Sequence, residues 1–229
     1  MMNINLQGDF KNFSKYLRDS QRKHLPSIMR NTLNGIAFEC QRALKSNLPK
    51  QVHMPTPYTL KGIQVEKTDK NDLQSKVGFV SKKFGKPARG AGILPAEYMS
   101  RLNLGGVRIP KKSSIPVPID RNYKTNKFGN IKRDNISKFL GDDSKYFSGV
   151  PRGAKGQYSG DGIWKRMGPK GRKNIAMLIS WNRSTKYKKT YEFGQVVKDK
   201  TRKIMKKEFA MHFREVLKKK GAWTRYTTM

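Results

Sequence analysis

The sequence predicts an α+β fold, with amphipathic helices at both ends of the chain around a small, mostly antiparallel sheet and long irregular loops. Three observations point there. Apolar residues recur every three or four positions near each end, short apolar or alternating runs bounded by glycine fill much of the rest, and prolines and glycines interrupt the middle. The reading is a single α+β domain over residues 1–229, with 82–130 as an extended loop region used in subunit contacts.

The elements follow in order. Phe10, Phe13 and Leu17 mark a weak helix over residues 9–24. Pro26 suits a first helical turn, where its missing N–H is not needed. From there Met29, Leu33, Ile36, Ala37, Cys40 and Leu44 keep a three–four spacing, and the helix is expected to stop near Ser46 to Pro49. "GIQVEKTD" and "QSKVGFVSK" read as two strands of a hairpin around a polar turn, and "EYMSRLNLGG" as one or two helical turns ended by Gly105. "GGVRIPKKSSIPVPIDRN" alternates Val107, Ile109, Ile115, Val117 and Ile119 as a strand would. Pro110, Pro116 and Pro118 cannot donate to a ladder, so it is at best an edge strand. Ile131 to Leu140 reads as a short helix ended by Gly141. "KYFSGVPRG", "DGIWKRMG" and "NIAMLISWN" read as strands, the last being the most apolar run and the central strand. A final helix begins near Phe193 and ends at Gly221. Val197, Thr201, Met205, Phe209, Phe213 and Leu217 form its apolar i+4 row, beside a basic row of Lys198, Arg202, Lys206 and Lys207.

Composition narrows the function. Only 35% of residues are hydrophobic, and the net charge is +34. The core is therefore lean, and the charge, spread along the whole chain, opposes a lone compact state while attracting acidic surfaces, nucleic acid or anionic lipid. Cys40 is the single cysteine, so no internal disulfide forms, and a small buried apolar role is expected for it. No apolar run approaches the roughly 20 residues of a membrane span. The first ten residues lack the charged-then-apolar order of a signal peptide. The expectation is a soluble protein made in the cytoplasm, with no membrane partner.

Chemical motifs are sparse. His24, His53 and His212 are far apart, and Cys40 has no CxxC partner, which argues against zinc. Asp142, Asp143 and Asp161 are the carboxylates nearest a strand end, as a magnesium-dependent nuclease would need. The Asp142–Asp143 pair follows Gly141 and Asp161 lies between two glycines, and turn chemistry is the preferred reading. The glycine-rich "GPKGRK" and "GAKGQYSGDG" lack P-loop spacing. No cofactor and no catalytic residue is assigned, and the chain is read as not an enzyme. Arg152, Lys155, Lys165, Arg166, Arg172 and Lys173 are the candidate polyanion contacts. Tyr146, Phe147, Tyr158 and Trp164 lie among them, either stacking bases or packing on the sheet.

The ordered pieces resemble bacteriophage neck and tail-completion proteins, the group around the lambda-type minor tail protein Z and related head–tail joining proteins. The resemblance rests on "PSIMRNTLNGIAFECQRALKSNLP", on "LNLGGVRIPKKSSIPVP", on "NIKRDNISKFL" followed by "KYFSGVPRG" and "GIWKRMG", and on "AMLISWNRSTKYKKTYEFGQVVKDKTRKIMKKEFAMHFREVL". It implies a structural virion protein of the neck or upper tail that forms a ring with copies of itself, hexameric by analogy. Its partners would be tail tube or head–tail connector proteins, with DNA in the conduit. On this view Gly105 to Asn122, with Val107, Ile109, Ile115, Val117 and Ile119, contacts a neighbouring subunit. The alternative is a basic protein binding packaged DNA.

Overall fold

The computed structural model describes residues 24–69, 71–88, 93–110, 114–152, 160–168 and 174–219. The architecture is α+β, with long helices toward the two ends of the chain and antiparallel strands between them. Where one domain was expected, the contacts fall into two compact units. The first comprises Met1–Gln51, Pro57–Met99 and Glu192–Met229, the second Val52–Thr56 and Ser100–Tyr191. The weak helix expected over residues 9–24 lies, but for His24, outside the described residues, as does the stop at Gly221.

In the first unit, helix α1 (Leu25–Gln51) buries Ile28, Thr32, Ala37, Cys40, Leu44 and Leu48. Met29, Leu33 and Ile36, expected in the core, are half-buried. Cys40 takes the small buried role, with Sγ 3.4 Å from Thr201 Oγ1. The helix does not stop before Pro49 but continues to Gln51. Proline removes one backbone donor there, a loss confined to the last turn. Gln51 Oε1 accepts the Glu192 N–H at 3.2 Å and ties that turn to the start of the final helix.

After the short helix α2 (Pro57–Lys61), strands β1 (Ile63–Glu66) and β2 (Lys76–Phe79) form the expected antiparallel hairpin, from Ile63 opposite Phe79 to Glu66 opposite Lys76. Polar residues of α1 hold it. Gln41 Nε2 donates to the Ile63 carbonyl at 2.7 Å. Asn34 bonds Thr68 twice, accepting its N–H at 2.9 Å and donating to its carbonyl at 3.2 Å. The proline- and glycine-rich stretch after β2 is also tied to the hairpin. Gly85, at φ 71°, donates its N–H to Glu66 Oε1 at 3.0 Å, and Gln64 bonds the Lys86 backbone.

The last helix (Phe193–Lys219) runs antiparallel to α1. In its first third Lys200 Nζ sits 2.9 Å from Glu39 Oε2, and farther on Glu208 and His212 pack over Gly35. Lys200 first, then Arg42, holds the Glu39 carboxyl below its usual range. A depressed carboxylate contributes stability above its unfolded pKa and loses it as pH falls through the folded value. Lys200→Met is therefore expected to flatten the acid limb of the chain's stability profile, measured by denaturant unfolding between neutral pH and pH 3. An unchanged acid limb would refute the coupling.

The expected i+4 row on this helix does not stay on the α1 side. Met205, Phe209 and Phe213 are 51%, 36% and 42% exposed. The side chain of Leu217 lies outside the described residues. A step of four residues advances about 40° beyond a full turn, so the row rotates by about 160° between Val197 and Phe213. Half-buried Ile204, Glu208 and His212 take the inward positions instead.

In the second unit, strands β4 (Ile115–Pro118), β7 (Ile175–Asn182), β6 (Gly162–Arg166) and β5 (Tyr146–Gly149) form one antiparallel sheet in that spatial order. The apolar β7 is interior, as its composition predicts. Tyr123, Ile163, Leu178 and Ile179 make the core, with Ile131, Ile136, Phe139, Tyr146 and Trp181 against it. The short helix here spans Asn135–Leu140, not Ile131–Leu140. Tyr123 Oη accepts the Lys132 N–H at 3.0 Å and the Asn135 side-chain amide at 2.9 Å, which holds the preceding residues in a turn.

Helix α3 (Pro95–Leu104) ends as predicted at Gly105, whose φ of 76° suits a left-handed cap and whose N–H donates to the Arg101 carbonyl at 2.8 Å. Thr190 and Tyr191 donate their N–H groups to the Leu102 carbonyl. Burial pushes the Tyr191 phenol up to about 12. Below pH 10 the phenol is protonated in both states. As pH rises toward 12 the unfolded chain loses that proton and the folded chain keeps it, so about 2–3 kcal/mol of stability is lost. The wild-type denaturation midpoint should thus fall between pH 9 and 12 relative to Tyr191→Phe, a comparison in which the lysine titrations cancel. A constant gap would refute it.

Candidate assembly surface

Gly105–Asn122 is two pieces. The first forms β3 (Gly106–Arg108), paired antiparallel with β8 (Thr185–Tyr187) in a two-stranded ribbon. Gly106 has φ 115°, which a side chain would resist. On and beside the ribbon Leu104, Val107 and Ile109 are 78%, 58% and 75% exposed. Val107 is directly opposite Lys186, and Arg108 opposite Thr185. Val107 and the exposed Lys186 thus stand on one face of the ribbon and make an exposed strip there, whereas Arg108 is half-buried and points to the other face.

The second piece is β4, an edge strand that folds onto its own chain. Ile115 is buried, and Val117 and Ile119 are half-buried. Of the five candidate subunit contacts, only Val107 and Ile109 are therefore freely presented; Ile115 serves its own core. Ile119 donates its N–H to the Leu178 carbonyl at 2.9 Å. Backbone groups alternate sides along a strand, so Ile115, Val117 and Ile119 face β7 and residues 116 and 118 face outward. Both outward positions are proline. The free edge of β4 has no donor there and resists an added strand.

The basic candidates separate too. Arg152 is exposed and Lys165 half-buried, while Lys155, Arg172 and Lys173 lie outside the described residues. Arg166 is exposed, with part of its guanidinium held by its own chain. Its Nη1 donates to the Asp143 and Tyr146 carbonyls, both at 2.7 Å, and its guanidinium lies 4.8 Å from the Phe147 ring centre. The aromatics pack instead of presenting faces for bases. Trp164 is 1% exposed, stacks on Phe147 at 6.4 Å and donates its indole N–H to the Gly149 carbonyl at 3.0 Å. Tyr146 packs on Phe139 at 4.7 Å. Tyr158 lies outside the described residues.

Of the three aspartates, Asp142 makes a turn with its carboxylate. Asp142 Oδ1 accepts the Ser144 hydroxyl at 2.6 Å, which chiefly holds its pKa below the usual range. Asp143 and Asp161 use their backbone carbonyls, for Arg166 and for the Trp181 N–H. Among the described residues, no group of three or more His, Cys, Asp or Glu could hold a metal ion. Nor, among them, is any helix long and apolar enough to cross a membrane.

Fold and surface together define a strongly basic α+β protein with exposed apolar side chains on a two-stranded ribbon. No family model, curated protein or solved structure matches the chain. Sequence reasoning missed two features here, the exposed Leu104 and the outward turn of Phe209 and Phe213. The angular drift of an i+4 row was the available signal for the second.

Proposed function

We propose that this chain is a structural virion protein of a bacteriophage neck or upper tail, which assembles with copies of itself into a ring, hexameric by analogy, around the DNA conduit. In that role it joins tail tube or head–tail connector proteins. The observation that carries the reading is the exposed strip of Leu104, Val107 and Ile109 on a chain of net charge +34. Apolar side chains held out on a ribbon gain from being covered by a neighbour. The surrounding cations steer acidic partners and set register. The order of sequence segments supplies the phage context, and charge repulsion supplies a reason for assembly to need partners or screening.

The test is electron microscopy and sedimentation of the purified chain across a salt series. Added salt screens like charges over a shorter range, so closed rings should appear as salt rises. A chain that stays monomeric at every salt and protein concentration would remove the ring.

A further inference from the structure

Six residues of the final helix, Lys198, Arg202, Met205, Lys206, Phe209 and Phe213, fall within one arc of about 100° around its axis. All six are exposed. The Phe209 and Phe213 rings stack on each other at 5.9 Å, with their planes 18° apart. Glu208 and Glu215 both reach His212, away from this arc. The face is thus cationic over its first half and apolar over its second. From Lys198 to Phe213 it measures about 22 Å, a helix of about 15 residues.

We propose that this face docks an acidic amphipathic helix of a partner protein. Carboxylates of that helix pair with Lys198, Arg202 and Lys206, and its apolar side chains cover Met205, Phe209 and Phe213. Charge complementarity selects this occupant. A second copy would bring another chain of net charge +34 against the same cations. A bilayer takes one arc of a helix to a common depth, and here Arg202 and Lys206 share the arc of the rings, not its polar flanks. A duplex would match the cations with phosphate but set its charged backbone against Met205 and the rings. Only a protein surface can change from carboxylate to apolar within about 10 Å along one helix. The inference stands whether or not the chain forms a ring.

The test uses the full chain and a fluorescent peptide of about 18 residues, with glutamates along one half of its face and leucines along the other. Binding is read by anisotropy against a scrambled isomer. Phe209→Ser/Phe213→Ser and Arg202→Glu/Lys206→Glu, both at exposed positions and checked by circular dichroism, should each weaken binding at least tenfold. The charge-reversed variant should regain affinity for the same peptide with lysines in place of its glutamates. No preference of the wild type over the scrambled isomer overturns the proposal, as does unchanged affinity in both variants. Oligo(dT), vesicles containing anionic lipid and self-association are measured with the same variants. If the serine pair weakens one of these tenfold and leaves peptide binding unchanged, the face belongs to that occupant and the proposal fails.

Discussion

Val107→Lys/Ile109→Lys is expected to hold the chain as a folded monomer where the wild type assembles. Both side chains stand in the open on the β3–β8 ribbon, so their replacement removes nothing from the core. Exposed substitutions of this kind change stability by about 0.5 kcal/mol or less, with a further few tenths from placing a lysine opposite Lys186. In a subunit contact the loss is larger. Covering two such apolar side chains contributes about 3–6 kcal/mol, so each contact weakens roughly a hundredfold to ten-thousandfold. New ammonium groups, buried without partners, add to that. The control is Ile115→Lys, which places the charge in the chain's own interior and should unfold the second unit. Sedimentation combined with circular dichroism separates these outcomes. If the ribbon variant assembles like wild type, the strip is not the contact.

Gly162→Ala is expected to destabilise the second unit by about 3 kcal/mol or more. A Cβ at Gly162 would point into the backbone of β7. It would fall well inside van der Waals distance of the Ile179 carbonyl oxygen, 3.2 Å from that carbonyl carbon and 3.3 Å from Ser180 Cα. A flexible side chain could move aside, but β7 is held by β4 on its other edge. The clash must therefore distort the sheet or separate β6 from β7. Gly194→Ala is the matched control. A Cβ there meets nothing within 4 Å, and alanine favours a helix over glycine, so stability should hold or rise by up to about 1 kcal/mol. Denaturant midpoints of the two variants test this. Equal midpoints would mean that β6 and β7 do not approach as described.

Much of the fold was legible because local patterns are strong. Glycine punctuation separates β5, β6 and β7, the apolar run of Ile175–Asn182 marks the interior strand, and the polar stretch after Glu66 marks the hairpin turn. Other features turn on partners distant in sequence. The charge of Arg166 is visible in the sequence, whereas the carbonyls of Asp143 and Tyr146 that engage one of its guanidinium nitrogens are not. The aromatics of "KYFSG" and "GIWKRMG" admit either stacking on a ligand or packing, and cross-strand pairing of Phe147 with Trp164 buries the indole and leaves Phe147 half-buried against it. The proline-rich segment reads as one extended piece, yet it divides between two sheets because β8 and β7 take different halves of it.

Charge, helical and strand periodicity, and the sites of chain reversal follow from residue type and spacing alone. Each depends on neighbours a few positions away, and a neighbour that close is written in the chain. Which apolar side chains end up covered is a different matter. Val107 and Ile115 alternate in one sequence run, and Thr201 and Phe213 fall on one i+4 row, yet one member of each pair packs inside its own chain and the other stands exposed. Burial needs a second surface. Pairing with β7 and packing on α1 supply it for some residues and leave the rest exposed.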